Sequence, residues 1–426
     1  MNTEEMIRLC KEHTMYSWAK NDAVDPLPIE RADGVYMYTP DGDKILDFNS
    51  QLMCVNIGHN HPKVKAAIKE QLDKLTYVYP GTATEVRAKL GKRLSEITPG
   101  DINTFFFTIG GAEANENAIK AARLFTGKYK IITRYRSYHG ATNACMQLSG
   151  DPRRWANEPG MPGVVRVMDP SPYTYSFGDD DEEITANNLR YLEEVIMMEG
   201  PQNIAAMFIE TVTGTNGILP PPKGYLKGLR ELLTKHDILM VCDEVMSGFG
   251  RTGKMYAFEH GDIVPDIVTM AKGLTSAYLP LGAMGVSDRI ADFFRKNMFW
   301  GGLTYNAHAL GMATVLANID VLVDEGMIDK HPSAKSARQI GLFGMMDVQK
   351  NAKGEPFAGF NSTHPVMTAL AKHFRDNGMF TFVKWGSFMC NPPLCITEEQ
   401  ILEGFAIIDS GFDLCDAAFE SEGDAS

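Results

Sequence analysis

Lys272 stands in Thr269-Met270-Ala271-Lys272-Gly273-Leu274, directly after the apolar run Ile267–Met270. In apolar surroundings burial lowers an amine's pKa, and such a lysine is equipped to act as a Schiff-base nucleophile. Asp243-Glu244 closes another apolar run, Ile238–Cys242. A carboxylate there could bind a metal, act as a base or pair with a cationic ring nitrogen. Thr108-Ile109-Gly110-Gly111-Ala112-Glu113-Ala114 is a small-residue turn between an apolar run and a helical pattern. Glycines at a helix N-terminus expose backbone N–H groups that suit a phosphate. Tyr138-His139-Gly140 comes after the run Lys130–Thr133 and offers a face on which a planar ligand can stack. Taken singly, each has an ordinary reading: a surface lysine, a loop acid, a tight turn, a core-edge tyrosine.

The elements that must position these residues are legible as alternation. The strand-like runs are Phe105–Thr108, Lys130–Thr133, Val164–Met168, Ala205–Ile209, Ile238–Cys242, Ile267–Met270 and Gly282–Val286. Between many of them lie helix-like segments such as Ala112–Phe125, Ala186–Met198 and Tyr225–Lys235. Continuous apolar strands with helical crossovers predict an α/β fold, with a mostly parallel central sheet covered on both faces. Ligands of such a sheet sit just outside the carboxyl ends of its strands. Asp41-Gly42 between VYMYTP and KILDF predicts a hairpin. Thr397-Glu398-Glu399-Gln400 predicts a capping box opening a helix to about Leu414. The expected partition is an N-terminal segment, 1–54, and a C-terminal part, 321–426, sharing a smaller α+β domain, with a large domain at 55–320. Gly248-Phe249-Gly250-Arg251-Thr252-Gly253 fits G-x-G-x-x-G. No helix opens on it, and Gly261 and Pro265 interrupt the next segment, so a nicotinamide site is not expected.

The composition narrows the function further. In 426 residues, Lys+Arg 41 against Asp+Glu 54 gives a net charge of -13. That argues against a nucleic-acid or anionic-membrane partner. At 44% hydrophobic and 22% charged the chain is ordinary globular protein. It has neither a secretory signal nor a transmembrane run, so a cytoplasmic location is expected. The seven cysteines contain no C-x-x-C pair, which suits reduced thiols, and no metal is expected.

In one crevice the four signals amount to an anion site, a stacking face, a carboxylate and a lysine. Those are the parts that pyridoxal 5′-phosphate requires. Asp243-Glu244-Val245 with GFGRTG, then Ala271-Lys272-Gly273, Leu303-Thr304-Tyr305-Asn306 and Asn391-Pro392-Pro393-Leu394, resemble the class III aminotransferases among the fold type I pyridoxal-phosphate enzymes. The resemblance runs from about Trp18 to Leu414. It implies that Lys272 holds the cofactor covalently, Asp243 binds its ring nitrogen, Val245 packs on the ring and Tyr138 stacks opposite, beside His139. It further implies that Gly110, Gly111 and Ala112 cradle the phosphate and that Glu210 lies near the cofactor. Thr304 would reach the phosphate of a neighbouring subunit, so a homodimer or dimer of dimers is expected.

The chain departs from the family at places that bear on substrate. The phosphate turn lacks hydroxyls, Met246 stands where 4-aminobutyrate and ornithine relatives have Gln, and Ala141 where 4-aminobutyrate relatives have Arg. No arginine occurs after Arg375, and the glutamate that would partner a C-terminal arginine is Thr215. The passage Glu325–Pro332 is also shorter than in relatives. SQLMCVNIGH and SYHGAT look most like the ω-amino-acid branch, the taurine:2-oxo-acid transaminases above all. The resemblance therefore implies an amino donor, taurine first and β-alanine next, and a 2-oxo acid, 2-oxoglutarate first and pyruvate next. A lyase or racemase on the same fold is the alternative. A desolvated substrate anion needs a cation. Gly150-Asp151-Pro152-Arg153-Arg154-Trp155 offers Arg153 slightly ahead of Arg154, with Trp18 as an apolar wall and Lys384 as the next candidate cation.

Overall fold

The computed structural model describes residues 1–328, 338–351 and 353–419. The short passage after Glu325 leaves the described residues beyond Ile328, and the acidic tail from Glu420 lies outside them.

Contacts divide the chain into two compact units: 52–57 with 62–346, and 1–51 with 58–61 and 347–426. The larger holds a seven-stranded sheet. Its strands are β1 (Ile102–Thr108), β2 (Lys130–Arg134), β3 (Val164–Val167), β4 (Ile204–Glu210), β5 (Leu239–Asp243), β6 (Ile267–Met270) and β7 (Gly282–Ser287). The spatial order is β1-β7-β6-β5-β4-β2-β3. Neighbours from β6 to β3 pair parallel, while β7 runs antiparallel to both β1 and β6. All seven expected runs are strands of this sheet. Every residue of β4, β5 and β6 is buried, as crossover helices on both faces require. The core packs Ala118 and Ala122 against Phe208, Val241, Ile267 and Met284.

Helix α1 (Gly111–Thr126) crosses β7, β6 and β4 with a face of small residues, and its cap Gly110 makes no side-chain hydrogen bond. Helix α2 (Asp181–Glu199) starts five residues before the expected Ala186. Its first turn is polar, and Asp180 caps it by accepting from Glu183 N–H. Helix α3 (Tyr225–Lys235) spans the expected residues. Helix α4 (Asp288–Lys296) succeeds β7, and α5 (Ala309–Asp324) runs unbroken past the 320/321 boundary expected from sequence. The contact division falls later, at 346/347.

In the smaller unit the expected hairpin pairs Tyr36 with Leu46 and Tyr38 with Lys44. Met379 extends that sheet in parallel on Leu46. The capping box forms as expected, Thr397 and Gln400 each accepting from the other's backbone N–H, and its helix runs Glu398–Asp416.

The GFGRTG segment is a turn with no helix behind it. Arg251 is fully buried and donates to Asn56 Oδ1 at 3.0 Å and to the Leu342 carbonyl at 3.2 Å. The turn is organised by Glu244, also fully buried. Its carboxyl accepts from Ser247 Oγ (2.7 Å), Ala257 N–H (3.0 Å) and Phe258 N–H (3.0 Å). Glu244→Ala leaves two buried N–H groups unpaired, at roughly 1–3 kcal/mol each. Equilibrium chemical denaturation should show a loss of about 2–6 kcal/mol; a loss below about 1 kcal/mol would mean that the turn is held by something else.

Candidate active site

The carboxyl ends of β4, β5 and β6 open into a cavity of about 460 Å³ whose lining belongs wholly to the larger unit. Glu210 and Asp243 end their strands, Lys272 lies just past β6, and the α1 N-terminus and the turn after β2 supply Gly110, Gly111, Ala112, Tyr138 and His139. All of these, with Val245, line the cavity. The expected constellation is therefore assembled in one place.

Lys272 adopts φ +47°, a left-handed conformation costing roughly 1–3 kcal/mol for a residue with a side chain. The bend swings the amine off the strand axis and towards the cavity. Burial pushes the amine's pKa down from 10.5, with Arg153 adding to the fall and Cys54, Glu210 and Asp243 opposing it. Asp243 is held on both oxygens: Oδ2 by His139 Nδ1 and Asn115 Nδ2, each at 2.8 Å, and Oδ1 by Val245 N–H at 3.0 Å. Asn115 also accepts from Thr269 Oγ1 at 2.7 Å. Glu210 accepts Tyr138 N–H and Gly214 N–H, both at 2.8 Å, so one carboxyl ties two loops together. Burial pushes its pKa up.

Two glycines permit close approach. A Cβ at Gly111 would lie 2.8 Å from the methyls of Val245. Gly140, at φ +131°, would place a Cβ 2.6 Å from that of Ala112.

The substrate candidates part company. The Arg153 guanidinium lies 3.7 Å from the centre of the Tyr138 ring and donates to Thr215 Oγ1, a cavity residue, at 2.9 Å. Asp151 grips the same guanidinium through Nε and Nη2. Arg154 pairs with Glu158 at 3.2 Å; neither arginine is itself a lining residue, and Arg153 reaches the cavity through Tyr138 and Thr215. Trp18 belongs to the smaller unit and is 60% exposed. Lys384, of the same unit, lies 4.5 Å from the Trp385 ring centre. Thr304 is exposed, and its carbonyl accepts from the Tyr77 hydroxyl at 2.7 Å. Sequence reasoning missed Asn115, Cys54 and Asp151. Asn115 carried a signal, a polar residue one turn into the apolar face of the helix after the phosphate turn. Cys54 carried none.

The sequence profile of the family Aminotransferase class-III matches residues 17–411. The chain belongs to the class III aminotransferases. The putrescine–pyruvate aminotransferase of Pseudomonas aeruginosa is 32% identical over 408 residues, 88% of each chain. The mitochondrial gamma-aminobutyrate transaminase 1 of Oryza sativa subsp. indica is 31% identical over 421 residues, 91% of this chain and 81% of that one. The crystal structure of taurine:2-oxoglutarate aminotransferase from Bifidobacterium kashiwanohense, in complex with PLP and glutamate, superposes with a TM-score of 0.93, at 38% identity and 99% coverage of both chains. A thermostable (S)-enantioselective omega-transaminase from Thermomicrobium roseum gives 0.90 at 31% identity, over 97% of this chain and 99% of that one.

Class III aminotransferases use pyridoxal 5′-phosphate and act on small amino and oxo acids, and this one has the fold type I architecture. Its own residues fit that cofactor. The cavity combines a helix N-terminus without a side-chain cap, a doubly anchored carboxylate and a desolvated lysine. Among the described residues, no helix is long and apolar enough to cross a membrane.

A depressed lysine pKa has a consequence for the cofactor-free aminotransferase. As pH falls through 10.5 the unfolded chain takes up a proton at Lys272, while the folded chain waits until its own lower pKa. Between those values stability falls as pH falls. Lys272→Met removes the penalty, so the cofactor-free variant should melt above the cofactor-free parent at neutral pH, with the gap closing towards pH 10.5. Thermal unfolding at both pH values checks this; an unchanged gap would mean that Lys272 is charged in the fold.

Proposed function

We propose that this aminotransferase moves the terminal amino group of an ω-amino acid, taurine first, to a 2-oxo acid, 2-oxoglutarate first. The observation that carries the reading is Arg153, set over Tyr138 and hydrogen-bonded to Thr215 at a cavity walled by Leu52, Ile109, Ala141, Val245 and Met246. Such a cavity suits a short aliphatic chain ending in a sulfonate or carboxylate. The likeness to a taurine:2-oxoglutarate aminotransferase supports the same choice.

Pyridoxal 5′-phosphate, when bound, supplies an electron sink for breaking the C–H bond at the amine-bearing carbon. Lys272 would hold it, with Asp243 at its ring nitrogen, Val245 and Tyr138 on its faces, and Gly110, Gly111 and Ala112 at its phosphate. Asp243, kept in place by His139 and Asn115, stabilises a positive charge at the end of β5. Lys272 Nζ, its pKa lowered by burial, is placed to take the proton from the amine-bearing carbon and to pass it on rather than back to that carbon. Arg153 holds the substrate's anion in both half-reactions. Glu210 positions Tyr138 and the turn carrying Thr215. Thr304 and the ring cluster Tyr77–Tyr305–His308 face the partner of a homodimer.

Lys272→Ala should abolish transamination and the visible absorption of the purified enzyme; full turnover without Lys272 would end the assignment. Asp243→Asn should cut turnover by more than about tenfold, roughly 1.4 kcal/mol of barrier, while some cofactor remains bound. Arg153→Ala should raise KM for taurine and 2-oxoglutarate about 30-fold or more, the effect of losing roughly 2–5 kcal/mol of charge-paired binding. An aralkyl amine without an anion should be far less affected. Equal losses for both amines would move the anion site elsewhere. Sedimentation at assay concentration should find a dimer or larger; an active monomer would refute the interface.

A further inference from the structure

Behind Arg153 lies a buried polar chain that the chemistry above leaves unused. Asp169, 2% exposed, faces the guanidinium of Arg134 at 3.3 Å and accepts the backbone N–H of Arg136 at 2.6 Å. Arg134 donates to the Glu210 carbonyl at 2.5 Å and to Thr213 Oγ1 at 3.2 Å. Arg136 grips the Asn216 carbonyl with two nitrogens, at 2.7 and 3.2 Å. It reaches that carbonyl past Gly217, where a Cβ would meet its Nη2 at 2.6 Å. The side-chain amide of Asn216 then donates to Asp151 Oδ2 at 3.3 Å, on the carboxylate that holds Arg153. Thr215, next in the chain, accepts from Arg153. Asn216 is only 1% exposed and touches nothing that would react.

We propose that Asn216 is the positioning residue for substrate-anion recognition. It joins the Arg136 guanidinium to Asp151 and so fixes where the Arg153 guanidinium stands relative to Tyr138 and the cavity. Two carboxylates and two guanidiniums, those of Arg134 and Arg136, are buried together here with the half-buried Arg153 beside them, and a guanidinium gripped by Asp151 tracks any movement of that carboxylate. The turn 213–217 is held at the Thr213 hydroxyl, the Gly214 N–H, the Thr215 hydroxyl, and the backbone carbonyl and side-chain NH2 of Asn216. Releasing the Asn216–Asp151 link frees Asp151 and Arg153 together, while Lys272 and Asp243 keep all their own contacts. The proposal rests on the reading of Arg153 as the anion anchor.

The test compares Asn216→Ala and Asn216→Asp in the holoenzyme. Asn216→Ala removes the amide but keeps the carbonyl that Arg136 grips. Asn216→Asp keeps the shape but sets a second carboxylate against Asp151. The readouts are KM and kcat with taurine, kcat with an aralkyl amine, and the dissociation constant of ethanesulfonate, which has no amine and cannot react. The expected result is a five- to tenfold rise, on the order of one power of ten or 1.4 kcal/mol, in taurine KM and ethanesulfonate dissociation constant for Asn216→Ala. A larger rise is expected for Asn216→Asp, with kcat for the aralkyl amine within about twofold of the parent in both. A packing role would reverse the order, since Asp fills the space and Ala does not. That reversal, equal losses for both amines, or unchanged ethanesulfonate binding overturns the proposal. Arg153→Ala separates the two readings. If it retains ethanesulfonate affinity, the anion anchor and this proposal fall together; if it loses affinity while both Asn216 variants keep it, this proposal falls alone.

Discussion

A parallel strand buried on both faces has nowhere to put a charge except at its ends. β4, β5 and β6 are buried at every residue, and each meets an ionisable group where its run of pairing stops: Glu210, Asp243, and Lys272 two residues on. The same desolvation that forbids charge along the strands acts on these groups. It pushes the Lys272 amine and the Glu210 carboxyl towards their neutral forms. An amine pushed towards its neutral form and a carboxylate fixed a strand away are consequences of the layer architecture before any substrate arrives.

Hydrogen bonds decide which buried groups stay aimed. Asp243 has three donors and no slack. Glu244, its sequence neighbour, turns the other way and spends its oxygens on the backbone of the adjoining turn. Adjacent acids on a strand end thus divide into one that faces the cavity and one that shapes the loop, as the alternation of a strand requires.

The sheet and much of the site are legible in the sequence because both rest on local signals. Apolar runs of four or five residues mark the strands, and Lys272, Asp243, Gly111 and Tyr138 each stand at or past the end of one. Fold-level packing decides the rest. Arg153 and Arg154 look alike in the sequence, yet the short helical turn Pro152–Asn157 sends one to Tyr138 and the other to Glu158. Cys54 reaches the cavity from a segment with no pattern of its own, and Asn216 acquires its role from Arg136, eighty residues earlier. The polar first turn of α2 hides from a search for apolar spacing because it is built from capping carboxylates.

The turn proposed to cradle the phosphate reads Gly-Gly-Ala, and the groups it offers an anion are backbone N–H. Backbone cannot be deleted by changing a side chain. Loss-of-function changes in this corner should therefore cluster on the residues whose smallness lets the backbone come close, Gly111 beneath Val245 and Gly140 against Ala112. Of its two glycines Gly110 is the open one, a Cβ there meeting nothing within 4 Å, so a hydroxyl would enter the turn at that position. For a designer, the lever at Gly111 and Gly140 is crowding.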